Sequence, residues 1–444
     1  MKVIDEIRQR KGLHASLSNI TWLSAGRIVQ MGGAVIVGIP VARYLGPGGF
    51  GTLNYAIAIY SIFNIVSNLG LDILVVRDVA LHPEERDEIL GSSFLLKIVA
   101  SLVTTAAAIG TAYFLSPRDH IVPLLVALLS IAAIGQGLDV IDYFFQAHTL
   151  SRYSVIPRTV VFVLASAGRI LAVLAHASLL VFGWIAAIEI LLADVGLGVS
   201  YLYFHRTVHK WRFRSVRALG LLYESWPLLL TGLLALIYMR IDQVLLGAMT
   251  STKVVGVYTV AVRLSEIWYM IPTIICASVM PRLFRDRHAR PELFRARLQR
   301  LYEAMALLSV GVAIVTQFVG SFAVNLMYGQ QYAGAARILS VHIWTSVFVF
   351  VGCVGSQQLI AEGLTIFTAQ RAALGAVVNV VLNLLWIPRY GAMGSAMATL
   401  VAQSIAAYFA DAVNQRTRHI FKMKTMAYLR FWLLPVFIFK RNKV

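Results

Sequence analysis

The sequence predicts an all-α polytopic membrane protein with twelve transmembrane helices in two six-helix lobes. Three observations predict it. The 444 residues are 59% apolar and only 14% charged, against about 45–50% and about 25% in a soluble domain. Apolar runs of about 18 residues or more recur along the whole chain. Basic residues gather in alternate loops.

The runs lie near 20–42, 52–75, 91–115, 121–146, 153–176, 178–204, 224–249, 254–280, 301–324, 336–361, 364–387 and 391–413. Lipid cannot satisfy an open strand edge, and the runs lack the alternation of a barrel strand, so each reads as a helix. The first run follows Lys2, Arg8, Arg10 and Lys11 without a small-residue cleavage signal, and it reads as a retained helix. The resulting division is an amphipathic N-terminal segment 1–19, a first lobe 20–204, a basic connector 205–222, a second lobe 223–413 and a basic tail 414–444. No soluble domain or long external loop interrupts it.

With a cytoplasmic amino terminus, 27 of the 39 Lys and Arg fall in cytoplasmic segments and 5 in external loops, the remaining seven being inside the membrane. Both termini are therefore expected inside. Orientation alone accounts for the +18 charge, and a nucleic-acid partner is not expected. Loop 281–300 carries Arg282, Arg285, Arg287, Arg290, Arg295, Arg297 and Arg300, and such a density also attracts anionic lipid. The segment Tyr428 to Phe439 is too short to span and reads as an interfacial anchor. Cys276 and Cys353 lie inside apolar runs, so no disulfide framework is expected.

The two halves echo one another. Leu45-Gly46 with Phe50-Gly51-Thr52-Leu53-Asn54-Tyr55-Ala56 parallels Leu246-Gly247 with Val255-Gly256-Val257-Tyr258-Thr259-Val260-Ala261, and Gly183 to Ala187 parallels Gly394 to Ala398. An even helix number per half makes the repeats parallel, related by a pseudo-twofold along the membrane normal.

Arg43-Tyr44-Leu45-Gly46-Pro47 with Phe50-Gly51, then Arg240 through Gly247, then Asn383 with Ile387-Pro388-Arg389-Tyr390-Gly391 and Gly394, resemble the polysaccharide repeat-unit flippases of O-antigen type. These belong to the multidrug/oligosaccharidyl-lipid/polysaccharide exporter superfamily. The resemblance covers essentially the whole chain. It implies a bacterial inner-membrane protein that carries an oligosaccharide on an undecaprenyl diphosphate from the cytoplasmic to the outer leaflet. The polyprenyl-diphosphate-linked glycan and membrane lipids are the implied partners, with a polysaccharide polymerase and export machinery as candidates. The glycine and proline motifs are structural turns, so they identify fold better than cargo.

A charge inside a spanning helix costs several kcal/mol unless it meets water or a partner. Ser24, Arg27 and Gln30 share one face of the first helix. Ser61, Asn64, Asn68 and Asp72 form a polar stripe on the second, and Gln136, Asp139, Tyr143 and Gln146 form another on the fourth. Arg158 and Arg169 share a face of the fifth. Arginine suits phosphate oxygens and keeps its proton, so Arg27 and Arg158 are the candidate headgroup contacts, with Arg169 farther out. The competing assignment pairs Arg27 with Asp72 and Arg158 with Asp139.

In the second lobe, Arg240, Asp242, Arg263 and Glu266 read first as salt bridges or a gate. Glu189 is a candidate for proton or sodium coupling, but a hydrogen-bonded structural acid is the preferred reading. Gln357, Gln358, Asn379 and Asn383 read as glue between helices. Walker glycines, a metal-ligand cluster and a nucleophile elbow are absent from the sequence, so a cofactor is not expected. The rivals are a drug or cation antiporter of the same superfamily and a membrane glycosyltransferase or polymerase. The first helix offers Arg27 rather than the acid an antiporter needs, and the glycosyltransferase lacks its external catalytic loop.

Overall fold

The computed structural model describes residues 2–204 and 208–433, apart from the side chains of 2–18, 20, 281, 282, 285, 286, 288, 289 and 433. The side chains of the amphipathic segment 1–19, except Asn19, those of Arg282 and Arg285, and the anchor beyond residue 433 thus lie outside the described residues. Every regular element among the described residues is helical.

Two compact units divide the chain, Met1–Leu236 and Ile237–Val444. The first contains α1 (Lys2–Ser67), α2 (Leu71–Leu81), α3 (Arg86–Leu115), α4 (Ile121–Ala132), α5 (Val140–Ala147), α6 (Arg152–Leu174), α7 (Leu179–Tyr203) and the first part of α8 (Ser215–Met249). The second contains the rest of α8, then α9 (Thr252–Glu266), α10 (Met270–Ala289), α11 (Pro291–Tyr328), α12 (Gly334–His342), α13 (Thr345–Ala361), α14 (Ile366–Ser404), α15 (Ala410–Val413) and α16 (Arg418–Arg430).

Ten described stretches are long and apolar enough to cross a membrane, and two of them are double crossings, which gives twelve spanning helices. The two doubles are broken at Gly46 (φ 65°, ψ 175°) and at Gly391 (φ 55°, ψ −134°). The Gly46 backbone lies in a region essentially reserved for glycine, and Pro47 behind it has no amide to carry a helical hydrogen bond back across the break. The Leu45-Gly46-Pro47 motif is therefore a structural turn. Phe114, Phe318 and Leu171 stand exposed on the outer faces of their helices, where lipid rather than water is the compatible solvent.

The boundary between units falls at Leu236 rather than in the basic connector. Its physical reason is that the connector and the start of α8 are tied into the first unit. The Arg212 amide donates to the Asp87 carbonyl at 3.0 Å, and the Arg214 amide donates to Ser92 Oγ at 3.1 Å. Arg214 and Arg217 pair with Glu88 and Glu85. Helix α8 consequently begins at Ser215, several residues before the apolar run from which it was read.

The tail also holds more structure than its basic composition suggests. Helix α16 buries Ile420, Lys424 and Ala427, spaced as one helical face. Lys424 Nζ donates to Asp411 Oδ2 at 2.8 Å and to the Ala407 carbonyl at 2.6 Å, while Arg371 takes the other Asp411 oxygen. The Ala407 carbonyl belongs to a π-helical turn, Ile405–Phe409, whose widened backbone offers that acceptor. The two cysteines are free, and Cys353 Sγ stands 3.6 Å from Cys276 Sγ.

Candidate functional site: a polar cavity in the first unit

Helix α1 packs closely along α6 because Gly26 and Gly33 leave room for it. A Cβ at Gly26 would lie 2.6 Å from Val155 Cγ1, and one at Gly33 would lie 2.6 Å from Phe162 Cε1. Small residues at a helix contact allow this approach in lipid. Arg27 and Arg158, each one residue or a few from these contacts, thereby reach the same cavity.

That cavity has a volume of about 600 Å³. All four residues of the α1–α2 stripe (Ser61, Asn64, Asn68, Asp72) and all four of the fourth-run stripe (Gln136, Asp139, Tyr143, Gln146) line it. The second stripe stays in register across a 3₁₀ segment, Ala133–Asp139, between α4 and α5. Neither Gln30 nor Ser24 is among the lining residues.

The charges in the wall form one network and one open pair. Arg158 spans two carboxylates, Asp139 at 2.7 Å and Asp142 at 2.9 Å. Lys97 Nζ reaches the remaining Asp139 oxygen at 3.1 Å and Tyr143 Oη at 3.2 Å, and Tyr143 in turn donates to Asn68 Oδ1 at 2.8 Å. Two cations and two anions balance there. Arg27 and Asp72 remain exposed in the cavity, and among the described residues neither carries a side-chain hydrogen bond or an ion pair. Of the two pairs in the competing assignment, Arg158–Asp139 is present, whereas Arg27–Asp72 is not found among the described residues.

Lys97 is the residue sequence reasoning left without a role. It is 2% exposed, and its signal was a lone ammonium in an otherwise apolar run, which implies a buried carboxylate partner. Arg169 does not reach the cavity lining, because it is engaged by Glu189. Glu189 is thus half of an ion pair rather than a solitary carboxylate.

In the second unit, the expected salt bridge at Asp242 is replaced by neutral donors. Asp242 is 3% exposed and accepts from Tyr258 Oη at 2.5 Å and from the Gln243 amide at 2.7 Å. Arg240 sits two residues away on the same helix, a spacing that turns side chains apart. Glu266 has no hydrogen bond or ion pair among the described residues, and Arg263 is not without a partner. Glue between helices is visible at the asparagines: Ser395 Oγ donates to Asn383 Oδ1 at 2.7 Å, and Asn379 Nδ2 donates to Thr399 Oγ1 at 3.3 Å, both buried across the Gly391 break. Gln358 plays the same part, accepting from Tyr302 Oη at 2.8 Å. Among the described residues no cluster of His, Cys, Asp and Glu could hold a metal ion.

Residues 16–286 match the family described as polysaccharide biosynthesis protein, which is more than half of the chain. The chain belongs to that family of the multidrug/oligosaccharidyl-lipid/polysaccharide exporter superfamily. Residues 227–385 also match the MatE family. A probable flippase, AglR of Haloferax volcanii, is 30% identical over 182 residues, which are 39% of this chain and 37% of that protein. Among solved structures, an inward-facing multidrug resistance MATE transporter of the superfamily superposes with a TM-score of 0.71 at 13% identity, covering 94% of this chain and 99% of its own. The lipid II flippase MurJ in an inward closed conformation superposes with a TM-score of 0.67 at 14% identity, covering 95% and 92%. The chain is accordingly a polytopic membrane protein of this family, and the proteins it resembles are described as transporters and flippases.

Proposed function

We propose that this protein flips a polyprenyl-diphosphate-linked oligosaccharide from the cytoplasmic to the outer leaflet of the bacterial inner membrane, supplying surface polysaccharide synthesis. The observation that carries the reading is Arg27, a guanidinium on a spanning helix that faces a cavity of about 600 Å³ with no carboxylate among the described residues engaging it. A buried-depth cation of this kind is costly in lipid unless a water-filled path or an anion meets it. A diphosphate supplies that anion, and the planar fork can hold two of its oxygens. Asn64, Asn68, Gln136 and Gln146 line the same wall and offer donors and acceptors to sugar hydroxyls. The prenyl tail stays in lipid while headgroup and glycan cross by alternating access. Flippases among the relatives support the class of reaction.

Arg158 takes a secondary place in this reading. Its two carboxylate partners neutralise it, so it shapes the wall and becomes a phosphate ligand only by exchanging one of them. Direction comes from a proton or sodium gradient or from charge movement. Both termini are assigned to the cytoplasm by the distribution of basic loops.

A second reading, antiport of an organic cation, is favoured by Asp72, a carboxylate open to the same cavity. Reconstituted vesicles separate the two. A fluorescent polyprenyl diphosphate oligosaccharide should change leaflets with the wild-type protein and fail to do so with Arg27→Ala. Uptake of an organic cation dependent on Asp72, without lipid movement, would establish the antiporter. Glycan chain growth would establish an enzyme instead.

A further inference from the structure

A larger cavity, of about 980 Å³, lies wholly in the second unit, where the start of α11 meets α16. Its chemistry differs from that of the first. Three guanidiniums, Arg287, Arg295 and Arg416, line it from two separate segments of chain. Among the described residues none of the three has a side-chain hydrogen bond or an ion pair.

Among the described residues one carboxylate lines this cavity, and both its oxygens are taken. Glu362 Oε2 meets His419 Nε2 at 2.8 Å, and Glu362 Oε1 accepts from Gln358 Nε2 at 2.8 Å. Among the described residues, Arg287 lies near this engaged carboxylate, and Arg295 and Arg416 have no carboxylate partner. Helix α11 adds to the imbalance. It starts beside them with Pro291 in its first turn and no side chain capping its amides, and Glu292 in the same turn offsets only part of its positive end. The opposite wall, with Phe294, Leu298 and Met423, is apolar.

Orientation of a membrane protein needs basic residues near the helix ends but no shared cavity, so convergence of the three is a separate fact. We propose that this cavity is a phosphate-binding site, distinct from the transport cavity, which takes the phosphodiester of an anionic lipid headgroup or the diphosphate of a soluble ligand. Guanidinium pairs with phosphate oxygens in two-pronged fashion, and an open helix start completes the cradle.

The test uses the full-length protein. In neutral detergent it is titrated calorimetrically with inorganic pyrophosphate, and in nanodiscs of phosphatidylcholine its bound phosphatidylglycerol is counted by native mass spectrometry as that lipid is added. Saturable binding of either probe is expected, and which one binds names the source. Arg416→Ala and, separately, Arg295→Ala should each weaken it about tenfold, the loss of one charge-assisted contact. Arg290→Ala removes the same charge from the same stretch of chain, but Arg290 does not line the cavity. It should leave affinity unchanged. Two results would overturn the site: neither probe saturates, or Arg416→Ala and Arg295→Ala weaken binding no more than Arg290→Ala does.

Discussion

Lys97 Nζ stands 3.1 Å from one oxygen of Asp139, whose other oxygen is held by Arg158 at 2.7 Å. A single carboxylate thus ties α3 to α6 through the segment that precedes α5. Removing it strands an ammonium that is 2% exposed. Asp139→Asn should cost about 3–5 kcal/mol, the penalty for a buried charge without its counterion. Lys97→Met combined with Asp139→Asn leaves the neutral Arg158–Asp142 pair and should recover most of that loss. Thermal unfolding of the single and double variants in detergent measures the coupling. Additive losses would show that the two groups do not act on each other.

Arg27 and Arg158 are separable by the same logic. Among the described residues Arg27 makes no side-chain hydrogen bond or ion pair, so Arg27→Ala should leave the melting temperature unchanged while abolishing lipid movement in vesicles. Arg27→Lys should restore little, since a point charge replaces a fork. Arg158→Ala should lower both stability and transport, because Asp139 and Asp142 lose a shared partner. Full transport by both alanine variants would remove the proposed headgroup site.

Periodicity made the cavity wall legible. The stripes Ser61-Asn64-Asn68-Asp72 and Gln136-Asp139-Tyr143-Gln146 could be read because polar groups in lipid must share one face, and all eight residues line the cavity. What periodicity could not give was pairing. Arg158 and Asp139 are 19 residues apart, and Arg169 and Glu189 are 20 apart, on different helices. Whether two such charges meet is decided by helix rotation, which Gly26 and Gly33 set through contacts with Val155 and Phe162. Helix α16 escaped notice for another reason. Its buried face includes Lys424, a residue that composition assigns to the surface and that only Asp411 makes tolerable inside.

The break at Gly46 gives a stability prediction that needs no knowledge of cargo. With φ 65° and ψ 175°, a side chain there is strained whatever the surrounding space. Gly46→Ala should cost about 1–3 kcal/mol. Gly48→Ala is the control, because a Cβ there meets nothing within 4 Å and the backbone is helical. It should be neutral or slightly stabilising, by up to about 1 kcal/mol. Equal effects of the two substitutions on the melting temperature would mean that the chain does not turn at Gly46.

Glu362, beyond the end of α13, lets the second unit respond to pH. Burial pushes its carboxyl up, but the hydrogen bonds from His419 and Gln358, with the nearby charge of Arg287, outweigh that and hold it below its ordinary value of 4.5. The stabilisation belongs to the ionised form. It is complete above 4.5 and disappears as the pH falls through the lowered value of the folded state. Glu362→Gln should therefore melt lower than the wild type at neutral pH, by about 1 kcal/mol of stability. The two melting temperatures should converge as the solution is acidified past the ordinary carboxylate range. A gap that stays constant down to that range would show that the His419–Glu362 contact contributes nothing through charge.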